Sequence, residues 1–110
     1  MKIRVIMCPA DRCPYTCWIE NGLKNMQSIV GGYIETATIA ENAVIVCNEE
    51  GVLLGLPENN SIPFAGFYGD CFICGVDGDE FASLQENAKQ LLLRSCRNRW
   101  HGTWEEKHGN

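Results

Sequence analysis

Polar and apolar positions alternate from the start of the chain. Lys2-Ile3-Arg4-Val5-Ile6-Met7 follows the two-residue period of a strand with one buried face, although its end is more continuously apolar. Cys8-Pro9 stops it, because proline lacks the N–H that a ladder needs. Beyond a loop holding Pro9, Asp11 and Pro14, the stretch Tyr15-Thr16-Cys17-Trp18-Ile19-Glu20 is rich in strand formers and predicts the second arm of a hairpin. The period then changes. Leu23, Met26 and Val30 fall at helical spacing with Ile29 alongside, which predicts a short helix with Asn21 as its N-cap and Gly31-Gly32 as its stop. Residues 33–39 and 43–47 predict two more strands, the latter nearly all apolar and so expected inside the sheet.

Asn48-Glu49-Glu50-Gly51 predicts a turn into a further strand, Val52-Leu53-Leu54, closing a second hairpin. Residues 55–66, with Pro57, Asn59, Asn60, Ser61 and Pro63, form the longest loop, the kind of segment that carries function more often than a strand does. Residues 67–75 predict the last strand, followed by a turn at Asp77-Gly78. Ser83-Leu84-Gln85-Glu86 matches a capping box, and Leu84, Ala88, Leu91, Leu92 and Cys96 repeat at helical spacing behind it. The whole reads as α+β: a mainly antiparallel sheet of about five or six strands, a short helix after the first hairpin, and a C-terminal helix packed on the sheet. Residues 1–97 make a single domain, and 98–110, where periodicity is lost, read as a C-terminal tail.

Charge sharpens this picture. The formal net charge of −5 is unevenly spread: no Lys or Arg lies between Lys24 and Lys89, while that interval holds ten carboxylates, Glu35, Glu41, Glu49, Glu50, Glu58, Asp70, Asp77, Asp79, Glu80 and Glu86. Such a segment repels phosphate backbones and favours cationic partners, which argues against nucleic acid as the ligand of that surface. A solvated acidic face serving solubility would look the same. No apolar run approaches the length of a membrane span, and the charged, alternating start lacks the apolar core of an export signal, so a cytoplasmic protein without a membrane partner is expected. The seven cysteines, odd in number, then read as reduced thiols.

Four segments, Val30-Gly31-Gly32-Tyr33-Ile34-Glu35, Cys47-Asn48-Glu49-Glu50-Gly51, Leu54-Gly55-Leu56-Pro57-Glu58-Asn59 and Gly69-Asp70-Cys71-Phe72-Ile73-Cys74-Gly75 with the Phe81-Ala82-Ser83-Leu84 that follows, together resemble domain-of-unknown-function family 3846 over residues 2–93. The resemblance implies an origin in phages, mobile elements or gut bacteria rather than a particular activity. The chain departs from that pattern at Asn60, where the family often has Arg, and in its short loop from Asn60 to Gly66; Cys8, Cys13, Cys17 and the tryptophan-bearing tail are its own.

Candidate chemistry is thin. Cys71-Phe72-Ile73-Cys74 has metal or redox spacing, but in a strand residues three apart point to opposite faces, so two small buried hydrophobes are expected there. Cys8, Cys13 and Cys17 bracket a loop and could join Cys71 or Cys74 as a thiolate zinc site. Asp77-Gly78-Asp79-Glu80 has part of a calcium loop without its frame and reads as a polar turn. A nucleophile needs a base within reach, and the only histidines, His101 and His108, lie in the tail, so no enzyme is expected. Trp100 and Trp104, spaced i, i+4 beside Arg97 and Arg99, form a partner-facing stripe if the helix continues, or else one of them folds back on the domain.

The expected function is therefore a non-enzymatic interaction protein whose acidic surface binds a basic host protein as a modulator or inhibitor, with Asn48, Glu49, Glu50, Asn59, Asn60 and Asp70 as the candidate contact residues and no cofactor. The alternatives are a binder of a small, nucleotide-like molecule at the glycine-rich turns, and the zinc module just described.

Overall fold

The computed structural model describes residues 1–100. The tail beyond them, with His101, Trp104 and His108, lies outside the described residues.

The chain forms β1 (Lys2–Cys8), β2 (Tyr15–Glu20), α1 (Leu23–Val30), β3 (Ile34–Ala40), β4 (Ala43–Asn48), β5 (Cys71–Asp77), β6 (Glu80–Ala82) and α2 (Glu86–Arg99). All strands join one six-stranded antiparallel sheet in the order β2-β1-β5-β4-β3, with β6 pairing β5 beyond the end of the β1 ladder. The α+β reading of the sequence holds.

Strand alternation sorts the apolar residues onto two faces, and a helix covers each. Ile3, Val5 and Met7 of β1, Phe72 and Cys74 of β5, and Val44 and Val46 of β4 pack with Met26 and Val30 of α1. The opposite face gathers Ile6, Cys8, Ala43, Ile45, Cys47, Cys71 and Ile73 beneath Cys96 of α2 and Ile62 of the connection between β4 and β5. This two-sided cover explains why β4 is buried at every position and reads as a continuous apolar run.

Several local expectations are corrected by tertiary contacts. Asn21 does not cap α1; Gly22 takes that position, and the Asn21 side-chain amide donates to the Phe81 carbonyl at 3.0 Å. Gly31 does end the helix in the left-handed region at φ 80°. Val52-Leu53-Leu54 is not a strand: these residues sit in an exposed succession of turns, with Leu53 83% exposed, because the sheet position beside β4 belongs to β5. The last long strand begins at Cys71 rather than Phe67, since Gly69 at φ 80° breaks the extended backbone ahead of it. Ser83 does not cap α2. Its hydroxyl accepts the Arg4 backbone N–H at 2.7 Å, the Leu84 N–H donates to the Arg4 carbonyl at 3.0 Å, and the helix starts behind Gln85. The helix runs to Arg99, and Trp100 turns in to become 7% exposed, which meets the expectation that one tryptophan folds back. Arg97 and Arg99 donate through Nε to the carbonyls of Pro14 and Ile62, tying the end of α2 to two loops.

Candidate functional site

The four segments that carry the sequence resemblance meet in two pairs, each fastened by a buried asparagine. Gly32 has no Cβ, so the Asn48 side chain lies against it and donates from Nδ2 to the Val30 carbonyl at 3.1 Å; a Cβ on Gly32 would come within 2.8 Å of that nitrogen. Asn48 Oδ1 accepts the Glu50 N–H at 2.7 Å and shapes the turn after β4. In the second pair, Asn59 Nδ2 donates to the Cys8 carbonyl at 2.8 Å and the Gly69 carbonyl at 2.9 Å, while its Oδ1 accepts from the Ser61 N–H and hydroxyl. The Gly69 N–H donates to the Pro57 carbonyl at 2.7 Å. These bonds satisfy both buried amides and pin the long connection to the sheet.

Between the two locks lies an open cleft of about 250 Å³. Its floor comes from Glu35, Ala37 and Cys47 on the α2 side of β3 and β4; its walls come from Glu49, Glu50, Val52, Leu53, Phe67 and Tyr68. Register explains the floor: Glu35 opposes Cys47 and Ala37 opposes Ile45, so all four side chains share one face. Three carboxylates thus meet at one cleft with no Lys or Arg in its lining. Val52 and Leu53 stand exposed there beside Glu49 and Glu50.

Cys47 is the nucleophilic atom nearest this space. Burial first, and the Glu35 carboxylate second, push its thiol above the ordinary range, and Sγ donates to the Glu35 carbonyl at 3.6 Å. A protonated thiol held this way is a poor nucleophile. The cleft offers charge and apolar contact to a ligand.

Of the sequence-derived candidates, Glu49 and Glu50 line the cleft with exposed side chains, while Asn48 and Asn59 spend their amides on backbone groups. Asp70 Oδ1 accepts the Ala10 N–H at 2.9 Å and fixes the loop after β1. Asn60 is exposed on the connection. Glu35 stands out in the sequence only by its charge; its odd-numbered phase in β3, shared with Ala37 and Ile39 on the α2 side, is what places it in the cleft.

The cysteine candidates divide between the faces. Cys8 and Cys71, partners across β1 and β5, lie under α2 with Cys96, whereas Cys74 and Cys17 face α1, as alternation within β5 requires. Cys13 lies in the loop between β1 and β2. The five do not converge, and among the described residues no three ligating side chains gather around one point. The neighbouring Cys96 thiol first, and burial second, push the Cys8 thiol well above its ordinary value, and its Sγ donates to the Ile6 carbonyl at 3.9 Å.

Fold and cleft together define a small antiparallel α+β domain with an acidic, uncovered margin along β3 and the turns behind it. By its match over residues 1–96, the chain belongs to the family described as Domain of unknown function (DUF3846). Among curated proteins and solved structures, nothing matches it. No helix among the described residues is long and apolar enough to cross a membrane.

Proposed function

We propose that this protein is a non-enzymatic interaction module that binds a basic protein through its acidic margin, acting on a host protein as modulator or inhibitor. The observation that carries the reading is the cleft at which Glu35, Glu49 and Glu50 meet without a cation, beside the exposed Val52 and Leu53. Carboxylates steer a cationic partner during encounter, and apolar side chains supply the contact area that charge alone does not. The family resemblance supports a phage or mobile-element origin, and seven free cysteines suit a reducing bacterial cytoplasm.

Affinity capture from bacterial lysate tests the reading. The wild-type chain should retain a basic protein at low salt and lose it at high salt, and the triple variant Glu35→Gln, Glu49→Gln, Glu50→Gln should retain much less. Capture of no protein at low salt would remove the proposal.

A small cationic molecule is the second reading, supported by the dimensions of the cleft. Nucleotides suit it poorly, since their phosphates would meet carboxylates. A thermal-shift screen with amines and nucleotides separates the two: a ligand that raises the melting temperature at micromolar concentration would favour this reading.

A further inference from the structure

We infer that the partner segment docks as an added strand on β3, in extended conformation, with cationic side chains on the face that looks into the acidic cleft. This inference rests on the interaction reading above and specifies its mode. β3 is the terminal strand of the sheet order, paired to β4 on one side only. The bonding phase of that pair follows from a flanking contact: the Tyr33 carbonyl accepts the Glu49 N–H at 2.9 Å, in line with the register that sets Glu35 against Cys47 and Ala37 against Ile45. Bonded pairs alternate along an antiparallel ladder, so Glu35 and Ala37 use their backbone groups on β4, and Ile34, Thr36 and Thr38 point theirs outward. None of these outward groups has a hydrogen-bond partner among the described residues.

An exposed edge is normally blunted by lysine, proline or a bulge. Here residues 34–38 carry no proline and no lysine, and the bulge comes only after Thr38. The edge also differs from an ordinary one in what lies next to it. Glu35 and Ala37 of β3 are at once edge residues and cleft floor, so alternate side chains of an added strand would fall over Glu35, Glu49 and Glu50. The intervening side chains would meet the α1 face, where Ile34 packs on the core. The geometry therefore selects a strand alternating Lys or Arg with β-branched residues. A second copy of the chain fits poorly, because pairing β3 with itself would bring two sets of cleft carboxylates together.

The test uses the full chain and three synthetic heptapeptides: alternating lysine and valine, the same with glutamate for lysine, and the lysine form with every backbone amide N-methylated so that neither edge can donate. Native-state hydrogen exchange by NMR is read at Ile34, Thr36 and Thr38. The lysine peptide should slow exchange at these amides by about tenfold or more at saturation, and the other two should not. In the variant Thr36→Pro, which removes one outward N–H and no ladder bond, peptide affinity should fall at least about fivefold. Equal binding of the N-methylated and unmodified lysine peptides would overturn strand addition while leaving the acidic interaction intact, whereas no binding of any cationic peptide would overturn both. Protection of the same amides that grows with protein concentration and needs no peptide would overturn the inference in favour of pairing between copies.

Discussion

Asn59 donates its side-chain amide to the Cys8 carbonyl across 51 residues of chain, at 2.8 Å and fully within the protein. With its second hydrogen on the Gly69 carbonyl and its oxygen on Ser61, one side chain holds the end of β1, the start of β5 and the connection between β4 and β5 together. Replacing it with Ala would strand several buried polar groups at once. Asn59→Ala is expected to lower stability by about 3 kcal/mol, read as a shift in the urea midpoint with little change in slope.

Gly75 gives a sharper case. It pairs with Ala43 on one side and Ala82 on the other, and the backbone at Ser83 passes directly over it, so an added Cβ would collide with the Ser83 carbonyl group. Backbone cannot yield as a flexible side chain can. Gly75→Ala is expected to cost about 2 kcal/mol or more and to loosen β6, visible as faster hydrogen exchange at Phe81 and Ala82.

Alkaline pH should destabilise the fold through its buried thiols. Burial pushes Cys71 and Cys74 from the ordinary 9.0 up to about 12. For an acid whose folded value is raised, the unfolded chain loses its proton first, so stability is fully present below pH about 9 and falls as pH rises from there toward about 12. Urea midpoints measured from neutral pH to about 10.5 should stay level and then drop above about 9, with Cys71→Ala plus Cys74→Ala flattening that drop at the expense of overall stability. In the native state an alkylating reagent should reach Cys13, which is only partly buried, well before Cys8, Cys71 or Cys74.

The cleft carboxylates should matter to binding and not to folding. Glu49 and Glu50 are exposed, and neither they nor Glu35 take part in an ion pair among the described residues. The triple glutamine variant is expected to keep the wild-type stability within about 0.5 kcal/mol, or to gain slightly at low salt as repulsion is relieved. Differential scanning calorimetry at low and high salt checks this.

Elements defined by their own periodicity were legible in the sequence: β1 and β2 from alternation and strand formers, α1 from helical spacing and the glycine pair behind it, β4 from its unbroken apolar run. What failed was set by partners far along the chain. Ser83 and Glu86 look like a capping box to any local window, yet the Ser83 hydroxyl is taken by an N–H 79 residues away. Val52-Leu53-Leu54 has the composition of a strand, and only the arrival of β5 beside β4 shows that no place remains for it. β6, of three residues, is too short to carry a period. In the candidate site, Asn48 and Asn59 beside glycine turns read in the sequence as polar contacts for a ligand, whereas their amides are spent on backbone carbonyls; Glu49 and Glu50 stand out by charge, and Glu35 needs the strand phase to be seen as their neighbour.

The sheet order has a consequence for how the chain comes into being. β1–β2 and β3–β4 are local hairpins, but they never touch as neighbours; β5 lies between them and is the last long strand to be made. A nascent chain released only as far as Asp70 would hold two hairpins with no strand to join them and with their inner edges bare. Productive collapse must wait for Cys71–Asp77 to leave the ribosome, and the interval before that is when this small protein has most need of a chaperone.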